Sequence, residues 1–200
     1  MSAKTAPSGT PKAPSNPKAT SVSSNRINLS WKDNSLDETS FKVYRKVGTG
    51  AWTLLTATDV DAVSYSDTTA GGNTSTTSYS YYVKACNSFG CSPATNIAVV
   101  PYSPMNLVVE ASAGKVDLTW EDKSSNETGF QIYRKSGGCS STNSWGVIET
   151  TEGNITTYSN TGLSSGTTYS YKVRAYKKSS AQPYAYGYSL FSNCSSATTP

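Results

Sequence analysis

The residues able to do chemistry in this sequence are few. Histidine is absent from all 200 residues, which removes the usual general base of Ser and Cys hydrolases, the commonest metal ligand and the physiological proton shuttle together. Carboxylates gather in two places, Asp33, Asp37 and Glu38, then Asp122 and Glu127. Grouped carboxylates bind hard cations such as calcium. The same side chains also accept bonds from nearby backbone N–H groups and fix turns, and the short polar segments around them favour that role. The sequence thus predicts no catalytic residue, no resident metal and no cofactor site, and the chain is not expected to be an enzyme.

Four cysteines, Cys86, Cys91, Cys139 and Cys194, allow three pairings. Their even number, without histidine to complete a zinc site, points to disulfides in an oxidising compartment. Cys86 and Cys91 flank the turn Asn87-Ser88-Phe89-Gly90, which brings their backbones within bridging distance. A reactive or zinc-bound thiol group is the weaker reading, because no Lys or His flanks the cysteines closely and their spacing fits no zinc motif.

Tyrosine is the other abundant functional group. The segment Lys177–Gly187 presents Tyr184 and Tyr186, with Tyr188 just beyond. Aromatic bodies with polar tips suit sugar rings or a protein partner. Their spacing of two equally describes one face of an extended hairpin, which is the favoured reading.

The elements that must position these groups are strands. Ser, Thr, Asn, Gly and Tyr abound while Lys and Glu are scarce, a composition that disfavours long helices and suits half-buried strands joined by polar turns. A net charge of +4 with only 15% charged residues falls short of the clustered basic face that phosphates require, so nucleic acid is not an expected partner. Apolar runs such as Ile97-Ala98-Val99-Val100 are far shorter than the roughly 20 residues of a membrane-spanning helix, and membrane insertion is not expected. Met1 is followed by Ser2-Ala3-Lys4-Thr5-Ala6-Pro7 without the basic stretch and apolar core of a signal peptide.

Self-comparison shows two copies of one unit. The block Leu29–Lys46 aligns with Leu118–Lys135, identical at about ten of eighteen positions. The register continues, with Trp52 answering Trp145, Tyr65 answering Tyr158, and Tyr79-Ser80-Tyr81-Tyr82-Val83-Lys84-Ala85 answering Tyr169-Ser170-Tyr171-Lys172-Val173-Arg174-Ala175. Each copy offers about seven short strands separated by turn residues, the pattern of a β-sandwich.

The residues carrying this pattern resemble the fibronectin type III family, in the version common in bacterial secreted, surface or phage structural proteins. They are Trp31 and Trp120 ending the second strand, the Asp-x-Ser-x-x-Glu-Thr turns into Phe41 and Phe130, and the late Tyr-x-Tyr-x-Val-x-Ala strands. Leu163-Ser164-Ser165-Gly166-Thr167-Thr168-Tyr169 is similar to the family's tyrosine corner. In the first copy the stretch 69–77 is longer and lacks an apolar residue matching Leu163, which predicts a looser corner. No cysteines sit on the second and sixth strands, against an antibody-type immunoglobulin domain.

The resemblance implies an all-β chain of two tandem seven-stranded immunoglobulin-like sandwiches. Residues 1–13, with Pro7 and Pro11 among Ser, Thr and Lys, read as a linker or N-terminal arm. The first domain is expected over 14–101 and the second over 102–200. The short link at Pro101 and Pro104 favours an extended rod with restricted bending. The second copy stops at Ala197-Thr198-Thr199-Pro200, the place where the first hands over to the second, which leaves open whether a further domain follows. In the resembled fold the loop holding Cys139 and the strand holding Cys194 lie at one pole, which implies the bridges Cys86–Cys91 and Cys139–Cys194, one per domain.

Three roles follow from the resemblance. The first is a non-catalytic spacer or surface-display module of an extracellular, cell-surface or virion-surface protein, partnered by neighbouring domains. The second is an adhesion module binding polysaccharide or a surface protein through the turn of Tyr184, Tyr186 and Tyr188. The third is a self-assembling subunit whose arm or open sheet edge pairs with another copy. No RGD tripeptide is present, so the integrin-binding role of some family members does not carry over. The sequons at Asn73, Asn126, Asn154 and Asn193 arise readily in a Ser/Thr-rich chain.

Overall fold

The computed structural model describes residues 6–71 and 77–200. Among these residues sixteen strands account for the regular structure. The first repeat contains β1 (Ser15–Ser23), β2 (Arg26–Lys32), β3 (Ser40–Val47), β4 (Thr53–Thr58), β5 (Ser64–Asp67), β6 (Tyr79–Asn87), β7 (Gly90–Cys91) and β8 (Ala98–Val100). The second contains β9 (Met105–Ser112), β10 (Lys115–Glu121), β11 (Gly129–Ser136), β12 (Gly146–Thr150), β13 (Thr157–Thr161), β14 (Thr168–Lys178), β15 (Tyr186–Phe191) and β16 (Ser195–Thr198).

Each repeat is a sandwich of seven strand positions, the last of them broken in two. In β2 the burial alternates strictly, placing Ile27, Leu29 and Trp31 inward and polar residues outward; β10 repeats this with Val116, Leu118 and Trp120. A two-residue side-chain period with one buried face fixes the register of a strand. Opposite them stand Phe41 and Val43 with Tyr81, Val83 and Ala85, and in the second repeat Phe130 and Ile132 with Tyr171, Val173 and Ala175. Trp31 meets Phe41 at 5.6 Å between ring centroids and Trp120 meets Phe130 at 5.7 Å, so the two cores are built alike.

The break in the last strand has a chemical cause. Ser92 and Thr95 hydroxyls accept bonds from the backbone N–H of Ala85 and Val83. Ser189 and Ser192 do the same for Ala175 and Val173. Side-chain oxygens take over ladder acceptors there, which satisfies the neighbouring strand while the chain bulges away.

The corner of the first repeat differs from the sequence expectation. Ala70 is fully buried in the first core, three residues beyond Asp67, as Leu163 is buried three residues beyond Asn160. An apolar residue does occupy that place; it is smaller. The Tyr79 hydroxyl donates to the Gly71 carbonyl at 2.6 Å, whereas the Tyr169 hydroxyl accepts from the Ser164 N–H at 3.3 Å. The stretch between Gly71 and Thr77, including Asn73, lies outside the described residues.

The described part of the N-terminal arm packs back on its own sandwich. Asn87 donates to the Gly9 carbonyl and Asn34 to the Ala13 carbonyl, while Pro11 and Pro14 are buried.

The short link is not the only tie between the repeats. Strand β15 pairs in parallel with β1, through Lys18↔Tyr186, Ala19↔Gly187 and Thr20↔Tyr188. The sheet β5-β2-β1 of the first repeat thereby continues into β15-β14-β11-β12 of the second, giving one eight-stranded sheet with β16 also on β14.

Candidate functional site

The hairpin of β14 and β15 is the part of the second repeat without a counterpart of equal length in the first, and it reaches onto the first sandwich. Alternation along β15 sorts its side chains. Ala185 and Gly187 are buried, and Ala185 belongs to the core of the first sandwich, not the second. A Cβ at Gly187 would overlap the Val99 carbonyl, so the strand can approach β8 only because glycine stands there. Asn96 closes the far end of the contact, donating its side-chain amide to the carbonyls of Ala181 at 3.0 Å and Pro183 at 2.9 Å. Within the turn, the Ser179 hydroxyl accepts from the Ala185 N–H and the Ser179 N–H donates to the Ala185 carbonyl.

The tyrosines fall on the other face. Tyr186 and Tyr188 stack at 6.2 Å, and Tyr188 lies against Tyr176 at 6.4 Å. Arg174 sits 4.3 Å from the Tyr188 ring and Lys18, from the first sandwich, 5.1 Å from it. Tyr184 lies under the Lys178 ammonium at 3.8 Å. Burial raises the Tyr188 hydroxyl pKa, only partly offset by Arg174. All three rings are half-buried, Tyr186 and Tyr188 stacked on each other, Tyr188 against Arg174 and Lys18, and Tyr184 against Lys178.

The stack continues down the second sandwich. Lys172 lies 4.0 Å from Phe191 and 4.4 Å from Trp145, and Arg174 also caps Tyr133 at 5.2 Å while donating to Gln131 and the Tyr133 hydroxyl. Desolvation lowers the Lys172 pKa, with Arg174 and Lys135 adding like-charge repulsion. Alternating cations and ring faces attract through the ring quadrupole, each contact worth about 0.5–1 kcal/mol where exposed. This face is a stiffening ladder across three strands.

Cys86 is bonded to Cys91 at a Cα separation of 4.0 Å, and Cys139 to Cys194 at 6.0 Å. The loop of Cys139 is further held by Lys135, whose buried ammonium donates to the carbonyls of Cys139 and Ser141.

Asp33, Asp37 and Asp122 bond within their own turns, whereas Glu38 and Glu127 reach across to another loop. Asp33 accepts from the Ser35 N–H at 2.9 Å, Asp37 from the Ser35 hydroxyl, and Glu38 from the Asp61 N–H at 3.2 Å. Asp122 accepts from the Ser124 N–H and Glu127 from the Asn154 N–H. Carboxylate oxygens of Asp33, Glu38 and Asp61 lie within 4.8 Å of one another; in the second repeat the place of Asp61 is taken by Asn154, and both adopt a left-handed φ. Burial raises the Asp122 pKa, the Glu127 charge adding to it.

Two grooves flank the joint. One, of about 650 Å³, runs between Trp52, Tyr82 and Asn96 of the first sandwich and Lys177, Lys178 and Ala181 of the second. The other, of about 720 Å³, lies within the second sandwich between β9 and β15, lined by Pro104, Met105, Leu107, Val108, Leu190 and Phe191. Sequence reasoning singled out the tyrosines of the hairpin but missed Ala185, Gly187 and Asn96. The available signal was two small residues alternating with tyrosines in a strand.

Comparison with known proteins gives a family match within the second repeat. Residues 102–186 match the Fibronectin type III domain. Chitinase A1 of Niallia circulans is 27% identical over 183 residues, a match covering 82% of this chain and 23% of that protein. The chain thus spans about a quarter of the length of this curated relative. Among solved structures, the chicken CNTN1 FN1-FN3 domains align with a TM-score of 0.46 at 19% identity, covering 96% of this chain and 68% of that one. The two-domain fibronectin type III segment of chicken tenascin aligns with a TM-score of 0.39 at 14% identity, covering 94% and 100%. Residues 102–186 are thus similar to the fibronectin type III domain, within a chain that folds as two β-sandwiches.

Proposed function

We propose that this chain is a non-catalytic structural module of an extracellular protein, in which two sandwiches are locked at a fixed angle to hold neighbouring domains apart. The observation that carries this reading is the β15–β1 pairing, with Ala185 of one sandwich buried in the core of the other. A strand shared between units resists bending far more than a short link does, because bending must break ladder bonds and expose buried apolar surface. Two disulfides favour an oxidising, extracellular setting. The similarity to a segment of a chitinase supports a place beside a catalytic domain acting on polysaccharide, with adjoining domains as partners. The engagement of the half-buried Tyr184, Tyr186 and Tyr188 with neighbouring cations and rings favours this reading over ligand capture by those rings.

Small-angle X-ray scattering of the 200-residue chain tests it. The expected result is a profile described by one conformation across temperature. A profile that requires a broad distribution of angles between the sandwiches would overturn the reading.

A further inference from the structure

The two repeats use the same asparagine differently. Ser92, Thr95 and Asn96 in the first repeat stand where Ser189, Ser192 and Asn193 stand in the second, as the matching hydroxyl bonds to β6 and β14 show. Asn193 bonds to both the N–H and the carbonyl of Leu107 on its own β9. Asn96 instead holds the carbonyls of Ala181 and Pro183 from the neighbouring sandwich. The reason lies across the seam. Ala19 faces Leu29 as Val109 faces Leu118, so Pro17 occupies the place of Leu107. Proline has no N–H to offer, and Asn96 is left to bind elsewhere.

The same equivalence compares the two seams between first and last strands. In the first sandwich that seam holds the hairpin of the second: β15 lies along Lys18–Thr20 and against Val99. In the second sandwich the corresponding seam runs between β9 and the broken last strand β15–β16, with an open groove at its β9–β15 end, and there Val108, in the place of Lys18, is 51% exposed and Met105 41%. Large apolar residues standing side by side on an open groove mark an interaction site.

We propose that the groove between β9 and β15 is the docking site for the last-strand hairpin of a further sandwich of this same kind, joined behind the second as the second is joined behind the first. The inference rests on the rigid-module reading and extends it to the partner. The occupant is argued from the molecule itself, since the equivalent seam is seen filled by such a hairpin. A fitting hairpin carries small residues on its docking face, as Ala185 and Gly187 do, to let its backbone reach the last strand. Its N–H and carbonyl groups pair with the free edge of β9 at Val108–Glu110, a mode of strand addition. Asn193 closes part of this seam in the meantime, and the incoming strand's backbone groups replace its bonds to Leu107.

The test is a three-sandwich chain made by joining a second copy of residues 104–200 directly after Pro200, which preserves the spacing of the existing link. Amide hydrogen exchange is followed in this chain, in the 200-residue chain, and in a three-sandwich chain carrying Gly187→Val in the added copy alone. The amides of 108–110 that point away from β10 are expected to exchange at least about tenfold more slowly in the three-sandwich chain. Gly187→Val in the added copy should restore their original rate. Unchanged exchange at 108–110 overturns the proposal, as does protection that survives Gly187→Val. The amides of 18–20 facing β15 report the existing joint in all three chains. If these are unprotected the rigid-module reading itself fails, whereas their protection without protection at 108–110 removes the docking site alone.

Discussion

Asp67 and Asn160 occupy the same node of the two sandwiches and accept the same pair of bonds, one as a charge and one as a neutral amide. Asp67 accepts from the Tyr81 hydroxyl at 2.9 Å and the Arg45 guanidinium at 3.0 Å; Asn160 accepts from the Tyr171 hydroxyl at 3.0 Å and Arg134 at 2.9 Å. Thr69 adds two further bonds to Asp67. The node ties the end of the fifth strand to the third and sixth strands across the sandwich. A buried carboxylate is tolerated there because each oxygen is bonded and one partner is cationic.

The charge makes the first sandwich sensitive to acid. Burial pushes the Asp67 pKa up, but the bonds from Tyr81, Thr69 and Arg45 outweigh it and leave it below the ordinary value. A depressed folded-state pKa contributes stability that is present above the unfolded value of about 3.9 and is lost as pH falls through the folded one. Asp67→Asn should therefore flatten the acid limb of the first sandwich's stability. At neutral pH it should cost about 1–2 kcal/mol, since Asn160 shows that an amide serves the node. Asp67→Ala, which strands both donors, should cost about 3 kcal/mol or more. Urea denaturation at pH 3 and pH 7 measures all three.

The tyrosines of this node give an alkaline signature. Burial pushes the Tyr171 hydroxyl up to about 12, and burial beside the Asp67 charge raises Tyr81 further. A raised folded-state pKa contributes stability that is complete below the unfolded value of about 10 and is lost as pH rises toward the folded one. Phenolate absorbance of the 14 tyrosines should accordingly show a fraction that ionises only together with unfolding. Reversible titration of every tyrosine near pH 10 with the fold intact would contradict the buried node.

Gly187 tests the joint without touching either core's aromatic packing. Gly187→Val places a side chain against the Val99 carbonyl, and overpacking of this kind costs about 1–3 kcal/mol. The least costly relief is withdrawal of β15 from β1. Both sandwiches should stay folded by circular dichroism while scattering shows a wider spread of interdomain angles. Loss of folded signal from the second sandwich would mean that the hairpin is integral to its core instead.

Much of this architecture was legible in the sequence. The alternation of Ile27, Leu29 and Trp31, repeated at Val116, Leu118 and Trp120, fixed which faces are buried, because a strand has only two. The match of Ala70 to Leu163 was missed since the difference in size hid it, although both side chains enter a core. The joint was not legible from the link alone. Whether Ala185 and Gly187 face solvent or another sandwich depends on the edge of β1 and on Asn96 in the first repeat, some 80 or more residues away in the chain. Long-range pairing of this sort leaves no local period to read.

The bridges should contribute unequally. Cys139 and Cys194 are 55 residues apart in sequence and Cys86 and Cys91 only 5. On the chain-entropy account the longer loop contributes about 4 kcal/mol and the shorter about 2. The short bridge also joins strands already paired at Cys86↔Cys91, whereas Cys139–Cys194 clamps a loop on which buried Lys135 depends for its carbonyl partners. Releasing that loop exposes or strands an ammonium group, a cost that adds to the entropy. The pair Cys139→Ser with Cys194→Ser should therefore lower the melting temperature of the second sandwich well beyond what Cys86→Ser with Cys91→Ser does to the first. Calorimetry of the two double variants decides it, and equal shifts would show that loop length and the Lys135 contact do not set the strength of these bridges.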